Sequence, residues 1–301
     1  MKLGMIGLGR MGGNMAQRLM QGGHEVVGLD AQLAPRQLLE QQGGESAESL
    51  TALLQKLPTP RVLWLMLPAG DITQAMIDAL LLLLEPGDIL VDGGNSYYQD
   101  SVRRAQQFAD YQLDYVDCGT SGGIWGLAEG FCLMIGGEQA AVKRLTPVFQ
   151  ALAPSPERGW AHVGPAGAGH FTKMIHNGIE YGMMQAYAEG FAMLNKKTEF
   201  DLDLHQIADL WRDGSVVRSW LLDLTTTALE QNPTLAGIAP YVSDSGEGRW
   251  AAAEAIALDV SAPVITLALL ERLRSRESDS YSDKLLAAMR KGFGGHDITH
   301  R

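Results

Sequence analysis

Cysteine, basic charge and long apolar runs are all scarce in this 301-residue sequence, and each scarcity excludes something. Only two cysteines occur, Cys118 and Cys132, in separate apolar runs without metal-ligand spacing. They read as buried structural residues in a reducing compartment, the cytoplasm, and not as a disulfide framework or a metal site. Lys and Arg total 24 against 35 Asp and Glu, a formal net charge of −11. A diffuse nucleic-acid footprint needs the opposite sign, so any anionic ligand must find a local cluster of cations. The longest apolar stretches, Ala79–Leu84 and Ala262–Leu270, fall well short of the ~20 residues of a membrane span. No signal-peptide cleavage pattern follows Met1-Lys2. Internal repeats, low-complexity tracts and flexible linkers are likewise missing. With 46% hydrophobic and 20% charged residues, the chain is neither disordered nor fibrous.

Glycine is abundant, at 35 residues crowded into loops and one helix. The first 160 or so residues alternate short β-type runs with helical patterns. Strands are expected at Leu3–Ile6, Glu25–Leu29, Val62–Met66, Ile89–Val91, Tyr115–Cys118 and Cys132–Ile135. Helices are expected between them at Met11–Gln21, Arg36–Gln42, Ile72–Leu84, Ser96–Ala109 and Gln139–Ala151. That rhythm predicts βαβ units and a mainly parallel sheet. From Ala166 onward helical periodicity dominates. The expected fold is an α/β Rossmann-type dinucleotide-binding domain over 1–163, then an all-α helical domain over 164–301, with the boundary near Trp160–Pro165.

Gly7-Leu8-Gly9-Arg10-Met11-Gly12 follows the first expected strand and opens the first helix. In that context the first Gly permits a tight turn, the second lets backbone approach a pyrophosphate, and the third allows close helix–strand packing. The helix N-terminus supplies amide donors for the phosphates. Asp30 ends the second strand about 20 residues on, where a carboxylate accepts from both ribose hydroxyls of NAD and repels the 2′-phosphate of NADP. The next basic residue is Arg36, so NAD is favoured and NADP disfavoured.

Lys173, His176, Asn177 and Glu180 stand at i, i+3, i+4 and i+7 and so share one helical face, with Phe171, Ile175 and Ile179 on the opposite side. An amphipathic helix showing water a polar face would give the same spacing. The mixture of a Lys, a His, an amide and a Glu differs from the usual salt-bridge pattern, however. Gly178, Gly182 and Ala186 form a small-residue ridge suited to close packing of another element. A desolvated Lys serves as a general base because burial lowers its pKa, and a nearby Glu serves as an acid. Beside a dinucleotide domain, these groups point to alcohol oxidation followed by proton transfer.

With these residues in view the sequence resembles the decarboxylating 6-phosphogluconate dehydrogenase family, within the β-hydroxyacid dehydrogenases, over nearly its whole length. The markers are Gly7–Gly12, Asp92-Gly93-Gly94-Asn95-Ser96, Ser121-Gly122-Gly123, the string Lys173-x-x-His176-Asn177-x-x-Glu180-Tyr181, Gly248-Arg249-Trp250, and the tail Arg290–His296. The resemblance implies three steps. Lys173 takes the proton of the substrate 3-hydroxyl as hydride leaves C3, CO2 is then lost from the β-keto acid, and Glu180 protonates the enediol to give ribulose 5-phosphate. It needs no metal, because the ketone is the electron sink.

The resemblance further implies that Leu67, Pro68 and Ala69 contact the cofactor, while Asn95 meets both cofactor and substrate. Ser121, Gly122 and Gly123 would hold the carboxylate and sugar, and His176 and Asn177 the sugar hydroxyls. Tyr181, Arg249, Arg274 and Arg290 would surround the phosphate, with His296 near the end of the sugar. It implies a homodimer, or a dimer of dimers, in which Arg290 and His296 enter the neighbouring subunit's site. Three departures stand out: Arg249 where the family commonly has Lys, Ile124-Trp125 where long members often carry acids, and a single copy of the helical domain, as in a short form. Two other readings stay open: a dehydrogenase of a small non-phosphorylated β-hydroxyacid, and a non-catalytic NAD(H)-binding sensor.

Overall fold

The computed structural model describes residues 1–294 and 297–299. The chain divides into two compact units, Met1–Asn177 and Gly178–Arg301. In chain order the first contains β1 (Lys2–Ile6), α1 (Arg10–Gln21), β2 (Glu25–Leu29), α2 (Leu33–Gln41), β3 (Glu45–Ala47), α3 (Leu50–Gln55), β4 (Val62–Leu65) and α4 (Asp71–Leu81). There follow β5 (Ile89–Asp92), α5 (Tyr98–Ala109), β6 (Asp114–Ser121), a single turn α6 (Gly126–Glu129), β7 (Cys132–Gly137), α7 (Gln139–Arg144), α8 (Thr146–Leu152) and β8 (Trp160–Gly164). The 29-residue α9 (Ala168–Lys196) comes next, and the division between units falls within it.

The eight strands form one sheet in the order β3-β2-β1-β4-β5-β6-β7-β8. All neighbours are parallel except β6 and β7. Alternation along each strand feeds two cores: Val62 and Trp64 join one apolar cluster, Leu63 and Leu65 the other. Both faces are therefore covered, which is why the strands read as continuous apolar runs. The strand order reverses between β1 and β4, the place where open α/β sheets bind nucleotides.

The expected α/β-then-α architecture is observed, with local differences. The expected helix Gln139–Ala151 is two helices, because Pro147 has no N–H to continue the ladder past Leu145. β3, α3 and β8 are additional to the expected elements. β3 has three residues and no alternation, and β8 is an edge strand whose central residues are exposed. Neither leaves an apolar period to detect.

In the second unit α9 continues and is followed by α10 (Leu204–Leu210), α11 (Trp220–Gln231), α12 (Glu247–Ala257), α13 (Pro263–Arg274) and α14 (Tyr281–Gly294). Among the described residues no strand follows Gly164. Asp203 and Ser219 cap α10 and α11 through their side chains. The expected small-residue ridge carries close packing: a Cβ at Gly178 would lie 3.1 Å from that of Ala251, and one at Gly182 would lie 3.0 Å from Val264. The cores here are small, one around Tyr181, Ala268 and Leu269, another around Ala208, Leu222 and Leu229. Among the described residues no helix is long and apolar enough to cross a membrane.

Candidate active site

The carboxyl ends of the parallel strands bring the first group of predicted residues to one edge of the sheet. Gly7, with φ +93°, turns the chain out of β1, and its N–H donates to Leu29 O at 2.8 Å. A Cβ at Gly12 would sit 2.0 Å from Gly7 O, so only glycine lets α1 start there. At Gly9 a Cβ would meet nothing within 4 Å. This glycine is not required by packing within the chain, and its open backbone is the cradle a pyrophosphate fills at a helix N-terminus. Arg10 and Met11 are the first residues of α1, while Leu8 is buried.

Asp30, just past β2, accepts from Leu8 N at 2.8 Å through Oδ2 and from Gln32 N at 2.8 Å through Oδ1. A carboxylate has about four acceptor positions, so two bonds fix its orientation and leave capacity for ribose hydroxyls. Leu67, Pro68 and Ala69 follow β4, with Pro68 O accepting from the Thr73 hydroxyl at 2.8 Å. These residues fit a dinucleotide, whose nicotinamide would act as hydride acceptor.

Asn95 is exposed on the loop after β5, above a buried polar network that sequence reading missed. Asp92 Oδ2 accepts from Ser96 Oγ at 2.7 Å, Tyr115 Oη at 2.9 Å and Arg104 Nη1 at 3.0 Å, while Oδ1 accepts from Gly94 N at 3.2 Å. The network shapes the loop that presents Asn95, and burial beside the Asp92 charge drives the Tyr115 phenol well above its usual pKa. Ser101, Arg104 and Phe108, buried at helical spacing on α5, carry the available signal: a cation on an apolar stripe.

The start of α9 is pressed onto β6 and β7 through glycines. A Cβ at Gly119 would lie 2.4 Å from Lys173 Cβ, and one at Gly169 would lie 2.4 Å from Met134 O. Asp117 of β6 accepts from Gly167 N at 2.6 Å and from His170 N at 2.7 Å, satisfying first-turn donors of the helix. The Ser101 hydroxyl lies 2.7 Å from His170 Nδ1. Lys173 is consequently 8% exposed, and its Nζ donates to Asn177 Oδ1 at 2.5 Å; His176 Nδ1 lies 3.3 Å from the same oxygen. The polar side of the helix is thus a buried side here, whereas Ile179 of the expected apolar side is 53% exposed. Gly119 of β6 leaves the room that the Lys173 side chain fills.

Ser121 ends β6 opposite Cys132, and Gly122 and Gly123 take φ +134° and +51°, which glycine alone adopts readily. Cys118 is buried as expected and burial pushes its thiol up, but Cys132 is exposed, a correction. It is the first residue of β7, at the strand end and not in the sheet interior.

In the second unit Glu180 is half-buried and Tyr181 is buried. Tyr181 Oη donates to Asp244 Oδ1 at 3.4 Å, and Arg249 Nε donates to Asp244 Oδ2 at 2.6 Å, so this pair of predicted residues is brought together. Burial of Asp244 opposes its ionisation, but the Gly246 N–H and the guanidiniums of Arg249 and Arg276 outweigh it and hold the carboxyl below its usual pKa. Arg274 is not brought to this cluster: its Nη2 pairs with Asp283 Oδ2 at 2.8 Å. Arg290 is exposed on α14, and His296 lies outside the described residues.

A dinucleotide cradle at the strand reversal, with a desolvated lysine beside the sheet, defines an oxidoreductase that binds a nicotinamide dinucleotide. Two family models divide the chain between them: "NAD binding domain of 6-phosphogluconate dehydrogenase" matches residues 2–164 and "6-phosphogluconate dehydrogenase, C-terminal domain" residues 169–299. A relative from Haloferax volcanii, an NAD(+)-dependent, decarboxylating 6-phosphogluconate dehydrogenase, is 43% identical over 100% of this chain and 99% of its own. YqeC of Bacillus subtilis is 42% identical over 98% of each chain. The solved Plasmodium falciparum 6-phosphogluconate dehydrogenase superposes with a TM-score of 0.84 at 25% identity, over all of this chain and 66% of that one. The chain belongs to the 6-phosphogluconate dehydrogenase family.

Proposed function

We propose that the protein oxidises and decarboxylates 6-phosphogluconate to ribulose 5-phosphate and CO2, with NAD as the preferred oxidant, in the cytoplasm. Residues 1–163 form the NAD-binding domain in this reading, and 164–301 the substrate-binding and dimerisation domain. The observation that carries it is Lys173, desolvated against Gly119 and bonded to Asn177. Family membership and the Haloferax volcanii relative's NAD(+) dependence support the substrate and the cofactor.

The Gly7–Gly12 loop and Asp30 would hold the dinucleotide by its pyrophosphate and ribose, and the bound cofactor would supply the acceptor for the hydride that leaves C3. Lys173 accepts the proton of the 3-hydroxyl, and Asn177 fixes the amine that does so. Once protonated, Lys173 donates to the new 3-carbonyl oxygen and stabilises the charge that develops there as CO2 departs. Glu180 delivers a proton to C1 of the enediol. Asn95, Ser121, Gly122, Gly123 and His176 hold the substrate's carboxylate and hydroxyls, while Tyr181 and Arg249 take its phosphate, together with Arg290 and His296 of a second subunit.

The test follows NADH and CO2 from purified protein given 6-phosphogluconate and NAD. Lys173→Met is expected to lose both products while NAD binding persists. Glu180→Gln is expected to decarboxylate the supplied 3-keto intermediate and stall at the enediol. NADH without CO2 from the parent protein would mean a simple β-hydroxyacid dehydrogenase, and neither product a sensor.

A further inference from the structure

The Asn95 loop and the helix that carries Lys173 come from separate parts of the chain, yet α5 keys one to the other. α5 begins directly after the loop, and three of its residues meet the start of α9. The Tyr98 and Phe171 rings pack edge to face with centroids 5.1 Å apart. A Cβ at Gly167 would lie 2.5 Å from Val102 Cγ2. Between these two contacts the Ser101 hydroxyl lies 2.7 Å from His170 Nδ1, and both residues are buried, at 0% and 2% exposure.

On one side of that bond, Ser101 stands one turn before Arg104, whose guanidinium donates to Asp92 Oδ2 alongside the Tyr115 and Ser96 hydroxyls. Asp92 is the base of the Asn95 loop. On the other side, His170 stands one turn before Lys173, and Asp117 Oδ2 holds its backbone N–H at 2.7 Å. A buried hydrogen bond with one turn of helix at each end therefore joins the loop to the lysine. The imidazole is costly at this position. Its Nε2 is buried and has no hydrogen-bond partner among the described residues, and Asp117 Oδ2 lies 4.0 Å from Nδ1, too far to share its bond. An apolar side chain would fill the space without stranding a nitrogen, so the bond from Nδ1 to Ser101 is what the ring contributes.

We propose that Ser101 and His170 are positioning residues whose bond holds Lys173 and the Asn95 loop in fixed relation before substrate arrives. This rests on the reaction proposed above, in which Lys173 removes the hydroxyl proton and Asn95 meets substrate. Both residues are buried, so they act through other groups: Ser101 through α5 and the loop, His170 through α9. Packing alone would make a different demand on position 170, to fill space without regard to Nδ1. Two replacements separate the demands. Leucine fills much of the ring's volume and forms no hydrogen bond. Asparagine is smaller, but its side-chain amide nitrogen takes the place of Nδ1 and donates to Ser101.

Ser101→Ala and His170→Leu are each expected to lower kcat on 6-phosphogluconate about tenfold or more, the scale of a misplaced reacting group. Their KM for NAD should stay near the parent value. His170→Asn should recover most of the lost kcat while melting at a lower temperature than His170→Leu. Amide hydrogen exchange, read by mass spectrometry without substrate, should quicken over 92–97 in His170→Leu and over 167–173 in Ser101→Ala. Parent-like kcat in both Ser101→Ala and His170→Leu overturns the proposal. So does a kcat that follows Tm across the two His170 variants, which is the signature of packing alone, or exchange that quickens only in the substituted element. Exchange linked across both elements, in parent protein that fails to oxidise 6-phosphogluconate, would sink the substrate reading and leave the link between loop and lysine standing.

Discussion

Asp30 holds its carboxylate ready through two backbone donors, Leu8 N and Gln32 N, one of them from the glycine loop itself. Asp30→Ala therefore removes a ribose acceptor and also loosens the loop. Losing one charge-assisted bond costs about 1.5–3 kcal/mol, so steady-state kinetics should show the NAD KM rising roughly tenfold or more and the advantage of NAD over NADP narrowing. An unchanged ratio would remove Asp30 from this role. Such residues are legible in sequence because their partners are local: the glycine loop is six residues, and Lys173 to Tyr181 is one stretch of helix. Asp92 with Arg104 and Tyr115, or Asp244 with Tyr181, Arg249 and Arg276, are assembled from separate elements. Arg249 is picked out in sequence by the resemblance alone, whereas Arg104 and Arg276 look there like ordinary solvated charges. Only the apolar spacing around Arg104 hints otherwise.

The α9 helix tests what its glycines do. At Gly169 a methyl group would meet backbone atoms, Met134 O at 2.4 Å and Asp117 O at 2.6 Å, which have no rotamer to yield. Gly169→Ala should cost about 1–3 kcal/mol as overpacking, lower the Tm, and reduce kcat by displacing Lys173. At Gly190 a Cβ would meet nothing within 4 Å, so Gly190→Ala should instead stabilise by about 0.5–1 kcal/mol through backbone entropy. Thermal unfolding of the two variants gives opposite signs if glycine is needed for contact at one site and not at the other. The same contrast explains which elements were legible. Strands that are continuous buried runs, such as β1, β2 and β4, announce themselves, whereas β3 and β8 are held by pairing to a neighbour and carry little pattern of their own. The break between α7 and α8 was legible in principle, since Pro147 marks it.

At the scale of the whole molecule the second unit leaves large apolar side chains in water, among them Ile256 at 80%, Met193 at 71% and Val264 at 65% exposure. The dimer with shared sites proposed above would cover side chains of this kind. Mixing two inactive variants, Lys173→Met and the double change Arg290→Ala with His296→Ala, tests that sharing. A mixed dimer with exchanged tails regains one working site, whereas tails that serve their own chain leave every site defective. Proven mixed dimers without activity would rule the exchange out. Reversal of β7 against β6 has an outcome of another kind. By carrying Cys132 to the exposed strand end beside Ser121 while Cys118 stays buried in β6, it gives the protein one accessible thiol out of two. A thiol-reactive fluorophore would attach there selectively, without any engineered cysteine, and report on the 121–123 loop as ligands arrive.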